Sequence, residues 1–131
     1  MDTKIIMTSS TLFYAIIGVL ICFLPNEIAG YLEVESTIIT IIFLNILSAL
    51  FLGFGILNWM AKGTLIGGIY NKPILIGNLM HFGVGAIGFL KVVFDIRTHL
   101  EIVISLTVVY WIFTILFVYI FRTTPIKTER K

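Results

Sequence analysis

The sequence predicts an all-α membrane protein in which four transmembrane helices form an antiparallel up-down-up-down bundle. Hydrophobic residues make up 59% of the chain and charged residues only 12%, whereas a soluble domain is about 25% charged. Four apolar runs approach the roughly 20 residues that a helix needs to cross a bilayer. The connections between the runs are short, so neighbouring helices should be antiparallel and adjacent. We therefore expect residues 1–131 to form a single membrane domain.

The first span covers about residues 6–24 and ends at Pro25, because the residue before a proline is disfavoured in the helical region. The next segment, residues 25–36, contains three acidic residues and no basic residue. Apolar residues in this segment are spaced to share one helical face, and these are Ile28, Tyr31 and Leu32. The segment is either a short interfacial helix in the first outer loop or an ordinary loop.

The second span covers about residues 37–60. Ala49 and Gly53 form a small-xxx-small pair, which allows two helix backbones to approach closely. Trp59 is placed as an anchor at the membrane interface. Asn58 points to another side of the helix end, where we expect it to reach headgroups or water.

The third span covers about residues 74–95 and follows a glycine-rich connection at residues 61–72. The connection lacks the spacing of a phosphate-binding loop, so we expect a flexible cytoplasmic turn. At about 100° per residue, small and polar residues of the third span fall on one side, and this stripe should face protein. The stripe consists of Gly77, Asn78, His81, Gly85, Gly88 and Asp95.

The fourth span covers about residues 101–121, and Thr107, Tyr110 and Thr114 share one of its faces. The remaining residues, 122–131, form a polar and basic tail.

The basic residues predict the orientation of the spans, since Lys and Arg collect in cytoplasmic connections. With the N-terminus inside, seven of the nine basic residues are cytoplasmic, and only Lys91 and Arg97 lie toward the other side. We therefore predict a protein of the plasma membrane, the bacterial inner membrane, with both termini and the tail in the cytoplasm.

Polar residues within the spans are the candidate ligand-binding residues. Counting at about 1.5 Å per residue from the cytoplasmic ends puts Tyr14, His81 and Thr114 in one layer of the bundle. Asn78 lies roughly one turn closer to the cytoplasm, and Asn45 lies further out. Such a layer either fixes helix packing through hydrogen bonds, or forms a pocket for a quinone, a lipid or another small amphiphile, or belongs to an ion or proton path.

Lys91 and Asp95 are four residues apart at the outer end of the third span and should form a pair. This outer polar pair is either a snorkelling lysine with its counterion or a rim that guards access to the bundle.

Metal binding and catalysis have little support in the sequence. His81 and His99 are 18 residues apart, and neither belongs to a metal-binding spacing. The spans contain no carboxylate to pair with His81 as a catalytic dyad, because Asp95 lies about 20 Å away along the helix. No cofactor is predicted, although a quinone or lipid would suit the polar layer. The formal charge of +2 is too small to suggest nucleic acid.

The run SALFLGFGILNWMAKG, followed by ILIGNLMHFGVGAIG after a first span that ends in proline, resembles small uncharacterised bacterial four-helix membrane proteins. More distantly, it is similar to the DoxX-like group. The resemblance implies the four-span fold over nearly the whole chain and an association with quinone-linked redox chemistry, and it transfers no catalytic residue.

These observations predict a non-enzymatic accessory or interaction subunit. The bilayer is its first partner, with a membrane protein or a second copy of the chain as a further one. A binder of a small amphiphile and an oligomeric pore are the alternatives.

Overall fold

The computed structural model describes residues 3–64 and 71–123, and this part of the chain contains five α-helices. The helices are α1 (Thr3–Phe23), α2 (Pro25–Tyr31), α3 (Ile38–Ala61), α4 (Lys72–Asp95) and α5 (Leu100–Thr123). The turn predicted within residues 61–72 lies partly outside the described residues, and the basic tail predicted at 122–131 lies mostly outside them.

Four of these helices, α1, α3, α4 and α5, are long and apolar enough to cross a membrane. Their mean hydropathy over the most apolar stretch is 1.6 to 2.3. A helix of 24 residues, the length of α3, α4 and α5, extends over about 36 Å, which exceeds the roughly 30 Å of a hydrocarbon core. Every predicted span boundary lies within three residues of the observed helix end. The chain therefore has the helices of an integral membrane protein, as predicted.

The segment after the first span begins with a helix, Pro25–Tyr31, so it is not an ordinary loop throughout. Leu24 interrupts the helical backbone between α1 and α2, with ψ at 43°. Pro25 then occupies the first turn of α2, where a missing N–H loses no helix hydrogen bond. Ala29 is the buried residue of this helix. The position of α2 at the membrane interface stays a prediction.

The chain divides into two compact units. The α1–α3 unit comprises residues 7–62, which hold most of α1 together with α2 and α3. The α4–α5 unit comprises residues 1–6 and 63–131, and its two long helices are α4 and α5. The up-down-up-down order of all four spans and the cytoplasmic placement of the termini stay predictions.

Side-chain hydrogen bonds join α1 to α3 in antiparallel directions. Asn58, near the end of α3, donates from Nδ2 to Ser10 Oγ near the start of α1, over 2.9 Å. Ser48, in the first half of α3, donates from Oγ to the carbonyl of Gly18 near the end of α1, also over 2.9 Å. Asn58 and Ser10 are both fully buried. The expectation that Asn58 reaches headgroups or water is therefore wrong, because a serine on α1 receives its amide.

Glycines bring the backbones of α1 and α3 together, although not at the predicted pair. A Cβ added to Gly18 would lie 2.9 Å from Leu52 Cγ, and one on Gly55 would lie 3.4 Å from the nearest atom of α1. In contrast, Ala49 is exposed, and a Cβ on Gly53 would meet no atom of the described chain within 4 Å. The small-xxx-small prediction is thus wrong in position, since the glycines in close contact are on other faces.

Aromatic rings join α4 to α5. Phe82 of α4 stacks on Phe113 of α5 with ring centroids 4.6 Å apart, and on Phe117 at 5.7 Å. The Tyr110 ring of α5 packs edge-on against Phe82 and Phe89, at 5.2 and 5.0 Å. Phe82 and Phe117 are fully buried. These contacts run in opposite chain directions along α4 and α5, so this pair is antiparallel as well.

The buried face of α4 is rotated from the predicted stripe of small and polar residues. Its buried residues are Leu75, Asn78, Phe82 and Ala86. The prediction holds for Asn78 and for Gly85, which lies against the Tyr110 ring, but Gly88 and Asp95 are exposed, and a Cβ on Gly88 would meet no described atom within 4 Å. Stacking with α5 explains the rotation, because in a membrane close packing rather than polarity alone drives helix association.

Candidate functional site

A side-chain contact between two polar groups, His81 of α4 and Tyr110 of α5, joins the two long helices of the α4–α5 unit. The Nε2 atom of His81 lies 3.1 Å from the phenol oxygen of Tyr110, within hydrogen-bond distance. Either group can be the donor, because the direction depends on the tautomer of the imidazole. Tyr110 is 5% exposed, whereas His81 is half-buried. The pair therefore has one anchored member and one member that reaches the surface of the unit.

Gly85 makes room for this pair one helical turn after His81. A Cβ on Gly85 would overlap the Tyr110 ring, at 2.6 Å from its Cδ1 atom. The imidazole packs edge-on against Phe82, with centroids 5.3 Å apart and an interplanar angle of 87°. The absence of a side chain at Gly85, together with the flanking phenylalanine rings, thus fixes where the phenol meets the imidazole.

Two other candidate residues of this unit, Thr114 and Asn78, each donate a hydrogen bond to a carbonyl of their own helix. Thr114 donates its hydroxyl to the carbonyl of Tyr110 over 2.7 Å. Asn78 is fully buried and donates from Nδ2 to the carbonyl of Ile74 over 2.8 Å. Both bonds join residues four apart, which is a common use of polar side chains in membrane helices.

The remaining candidates, Tyr14 and Asn45, belong to the α1–α3 unit. Tyr14 is fully buried, with its ring edge-on to Phe51 at 5.7 Å and stacked on Phe54 at 5.6 Å. Asn45 is exposed on α3. The structure therefore brings His81 next to Tyr110, and the predicted layer of Tyr14, His81 and Thr114 stays a prediction.

The outer polar pair consists of exposed residues near the end of α4. Lys91 and Asp95 lie one helical turn apart, and both are exposed to the surroundings of the chain. Their pairing and their role as a rim stay predictions.

Sequence reasoning missed two contacts, and a signal for each was present. Tyr110 lies on the same face of α5 as Thr114 and one helical turn before it. Had the depth of His81 been estimated one turn further from the cytoplasmic end, Tyr110 would have been identified as its partner. Ser10 lies near the start of the first span and Asn58 near the end of the second, on the side of both spans that is predicted to be cytoplasmic. Antiparallel pairing of the two spans puts them at one level, which would have predicted the observed bond.

The arrangement can offer hydrogen bonds to a small polar group at the surface of the α4–α5 unit. A neutral imidazole carries one donor and one acceptor, and a phenol can do both. Among residues 3–64 and 71–123, no group of three or more His, Cys, Asp or Glu residues lies close enough to hold a metal ion.

Comparisons with protein-family models, with curated proteins and with solved structures found no match. The resemblance to DoxX-like proteins stays a prediction from the sequence.

Proposed function

We propose that the protein is a small non-enzymatic component of the bacterial inner membrane, which acts as an accessory or interaction subunit. One observation carries this proposal: polar side chains within the spans join neighbouring helices by hydrogen bonds. Ser48 bonds the Gly18 carbonyl across two helices, and Asn58 bonds a serine. Thr107 and Thr114 donate to carbonyls of their own helix. The two bonds between helices give register and specificity of packing, whereas the two threonine bonds stay within one helix.

The outward surfaces are the second support for an interaction role. Apolar side chains of α3 and α5 are strongly exposed, including Ile56 at 62% and Ile115 at 63%. In a bilayer these faces meet lipid, and the same faces can meet the apolar helices of a partner, because helix association there depends on packing.

The proposed four-span topology is tested by cysteine labelling in a Cys22→Ser background. Single cysteines at Lys4, Glu33 and Lys62 should label with a membrane-impermeant maleimide from alternating sides, with Glu33 on the periplasmic side and both lysine positions on the cytoplasmic side. Labelling of Glu33→Cys and Lys62→Cys from the same side would overturn the topology.

The interaction role is tested by photo-crosslinking in intact membranes. A photoreactive phenylalanine analogue at Ile56 or Ile115 should give a discrete product larger than the chain. The same analogue at buried Phe117 is the control and should give none. If products are absent at both exposed positions, and gently extracted protein has the mass of one chain, the accessory role is rejected.

A second candidate function, binding of a small amphiphile, is favoured by the half-buried His81 beside Tyr110. The variants His81→Ala and Tyr110→Phe should each lose a quinone or lipid that copurifies with the protein in mild detergent, as measured by mass spectrometry. The control is Ser105→Ala, which removes an exposed bond within α5. Equal small-molecule content in all three variants would reject this candidate.

A further inference from the structure

The start of α4 and the end of α5 meet at one end of the α4–α5 unit, because these two helices are antiparallel. The Nζ atom of Lys72, the first residue of α4, lies 5.6 Å from the centroid of the Phe121 ring. Phe121 belongs to the last turn of α5. A cation within about 6 Å of the centroid of an aromatic ring is attracted to the ring face. The ring therefore holds the lysine ammonium beside the last turn of α5.

Arg122 brings a second positive charge to this end of the unit. It follows Phe121 directly and is the basic residue in the last turn of α5. Lys72, Phe121 and Arg122 are all exposed, and we call these three residues the Lys72–Arg122 cluster. Two cations beside an exposed aromatic ring match an amphiphile that has an anionic head and an apolar chain.

The acidic residues of the α4–α5 unit lie at its opposite end. In the part of this unit that the structure describes, they are Asp95, the last residue of α4, and Glu101, in the first turn of α5. Because α4 has 24 residues, Lys72 and Asp95 are separated by about 35 Å along the helix. This separation is well beyond the screening length of about 8 Å at physiological ionic strength. These carboxylates therefore do not neutralise the Lys72–Arg122 cluster.

The proposed topology determines on which side of the membrane the other acidic residues lie. Glu27, Glu33 and Glu35 precede α3, whereas Lys72 follows it. Because α3 crosses the bilayer in this topology, the three carboxylates and the Lys72–Arg122 cluster are on opposite sides. The side of the cluster has seven basic residues and only two acidic ones, Asp2 and Glu129. An excess of basic residues beside a spanning helix attracts anionic headgroups.

We propose that the Lys72–Arg122 cluster binds the phosphate of an anionic phospholipid in the cytoplasmic leaflet. The ammonium of Lys72 and the guanidinium of Arg122 donate to the phosphate oxygens, and Phe121 positions the lysine. A zwitterionic phospholipid carries the same phosphate, but its own cation is repelled by the two basic side chains. The site therefore selects a headgroup with a net negative charge. It depends on the topology proposed above and is independent of the His81 site.

Native mass spectrometry of the full chain tests the headgroup. The protein is reconstituted with equal amounts of phosphatidylglycerol and phosphatidylcholine that have identical acyl chains, and then released from detergent. The glycerol lipid should be retained at least fivefold more, the ratio that corresponds to about 1 kcal/mol for one basic residue near an anionic surface. Equal retention of the two lipids by the unmodified chain overturns the proposal.

A matched pair of double variants tests the position of the site. Lys72→Gln/Arg122→Gln should lower the preference for phosphatidylglycerol by about fivefold or more. Lys91→Gln/Arg97→Gln is the control, because it removes two exposed cations toward the other end of the unit and leaves the same net charge. It should retain the preference. Circular dichroism and elution volume confirm that both variants fold. Equal losses in the two variants overturn the site, since net charge alone would then explain the preference.

The positioning role of Phe121 is tested by comparing two substitutions of the ring. Phe121→Leu removes the ring and should lower the preference about twofold, the ratio for about 0.5 kcal/mol of an exposed cation–π contact. Phe121→Tyr retains an aromatic face and should retain the preference. Phe94→Leu, at an 81% exposed position near the other end of α4, is the control and should have no effect. Equal preferences in the two Phe121 variants overturn the role of the ring.

The single-cysteine labels described above separate the lipid site from the topology on which it depends. If the labels alternate as proposed and the unmodified chain retains both lipids equally, only the lipid site has failed. If Glu33→Cys and Lys62→Cys label from the same side, the charge difference between the two sides is lost, and both the topology and the lipid site are overturned.

Discussion

In the α1–α3 unit two buried hydrogen bonds between the long helices accompany the packing of Tyr14 against Phe51 and Phe54. In the α4–α5 unit one fully buried ring, Phe82, stacks on two rings of the partner helix and lies beside the His81–Tyr110 hydrogen bond. Ser48 and Asn58 reach across to α1, while Phe82 of α4 lies against Phe113 and Phe117 of α5. Lipid tails are as apolar as the side chains, so burial alone does not drive either pairing. Both pairs of helices are held by specific contacts, but a buried ring contributes more to stability than a single hydrogen bond does.

The difference predicts unequal sensitivity to substitution. A buried aromatic side chain makes many dispersion contacts that are lost together when it is truncated. A side-chain hydrogen bond in a membrane is worth only about 0.6 kcal/mol on average. Each unit contains one of the two tryptophans, Trp59 in the α1–α3 unit and Trp111 in the α4–α5 unit. Variants that retain a single tryptophan therefore let each unit be followed separately.

The largest effect is expected for Phe82→Ala. Removal of this fully buried ring should lower the free energy of unfolding by about 3–5 kcal/mol, because the stacks on α5 are lost and a cavity remains. Unfolding by sodium dodecyl sulfate, followed through Trp111 fluorescence, measures the change. Phe94→Ala is the control on the same helix, since Phe94 is 81% exposed. Similar losses for both variants would contradict the aromatic basis of the α4–α5 pairing.

The next effect is expected for Gly85→Ala. The added methyl group would overlap the Tyr110 ring, and overpacking of this kind typically lowers stability by about 1–3 kcal/mol. Gly88→Ala is the matched control, because it meets open space and should be neutral or stabilising by up to about 1 kcal/mol. The same Trp111 assay separates the two. A loss for Gly88→Ala as large as that for Gly85→Ala would show that the helix backbone, not the ring contact, is responsible.

The helices themselves could be predicted from the sequence, and the reasons are local. The lengths of the apolar runs identified the four spans, and Pro25 marked the break before α2. These features depend on the chemistry of consecutive residues and not on the partner helix.

The contacts between helices were harder to predict, because periodicity gives the faces of a helix but not its rotation or its height relative to a neighbour. His81 was expected at the level of Thr114, one turn of about 5.4 Å from its observed partner Tyr110. Within the predicted stripe Gly85 is in tight contact and Gly88 is not, and in the other unit the tight contact is at Gly18 and not at Gly53. Which glycine allows two helices to pack closely depends on the shapes of both helices, and the sequence of one helix does not give this.

Each unit contains a residue with a left-handed φ angle, and replacing such a residue by glycine should raise stability by less than the losses expected for Phe82→Ala and Gly85→Ala. Glu33 in the α1–α3 unit and His99 in the α4–α5 unit have left-handed φ angles of 57° and 54°. Glycine adopts this conformation without the steric penalty of a Cβ, so Glu33→Gly should raise the free energy of unfolding by about 1 kcal/mol.

Trp59 fluorescence reports the Glu33→Gly change. Glu33→Gln serves as the control that removes the charge and retains the Cβ, and it should leave stability nearly unchanged. Leu32→Gly, at a residue with an ordinary φ of −80°, should not stabilise. A gain for Glu33→Gln equal to that for Glu33→Gly would assign the effect to charge.

The smallest effect is expected for the bond between Asn58 and Ser10. A double-mutant cycle with Ser10→Ala and Asn58→Ala isolates their coupling, which should be about 0.6 kcal/mol and at most about 1.7 kcal/mol. The coupling stays small because polar groups of the unfolded chain also find hydrogen-bond partners within the membrane. The cycle is measured through Trp59, under the conditions used for Phe82→Ala. A coupling of about 3 kcal/mol or more would contradict the comparison, since one hydrogen bond in the α1–α3 unit would then contribute as much stability as the Phe82 ring does in the α4–α5 unit.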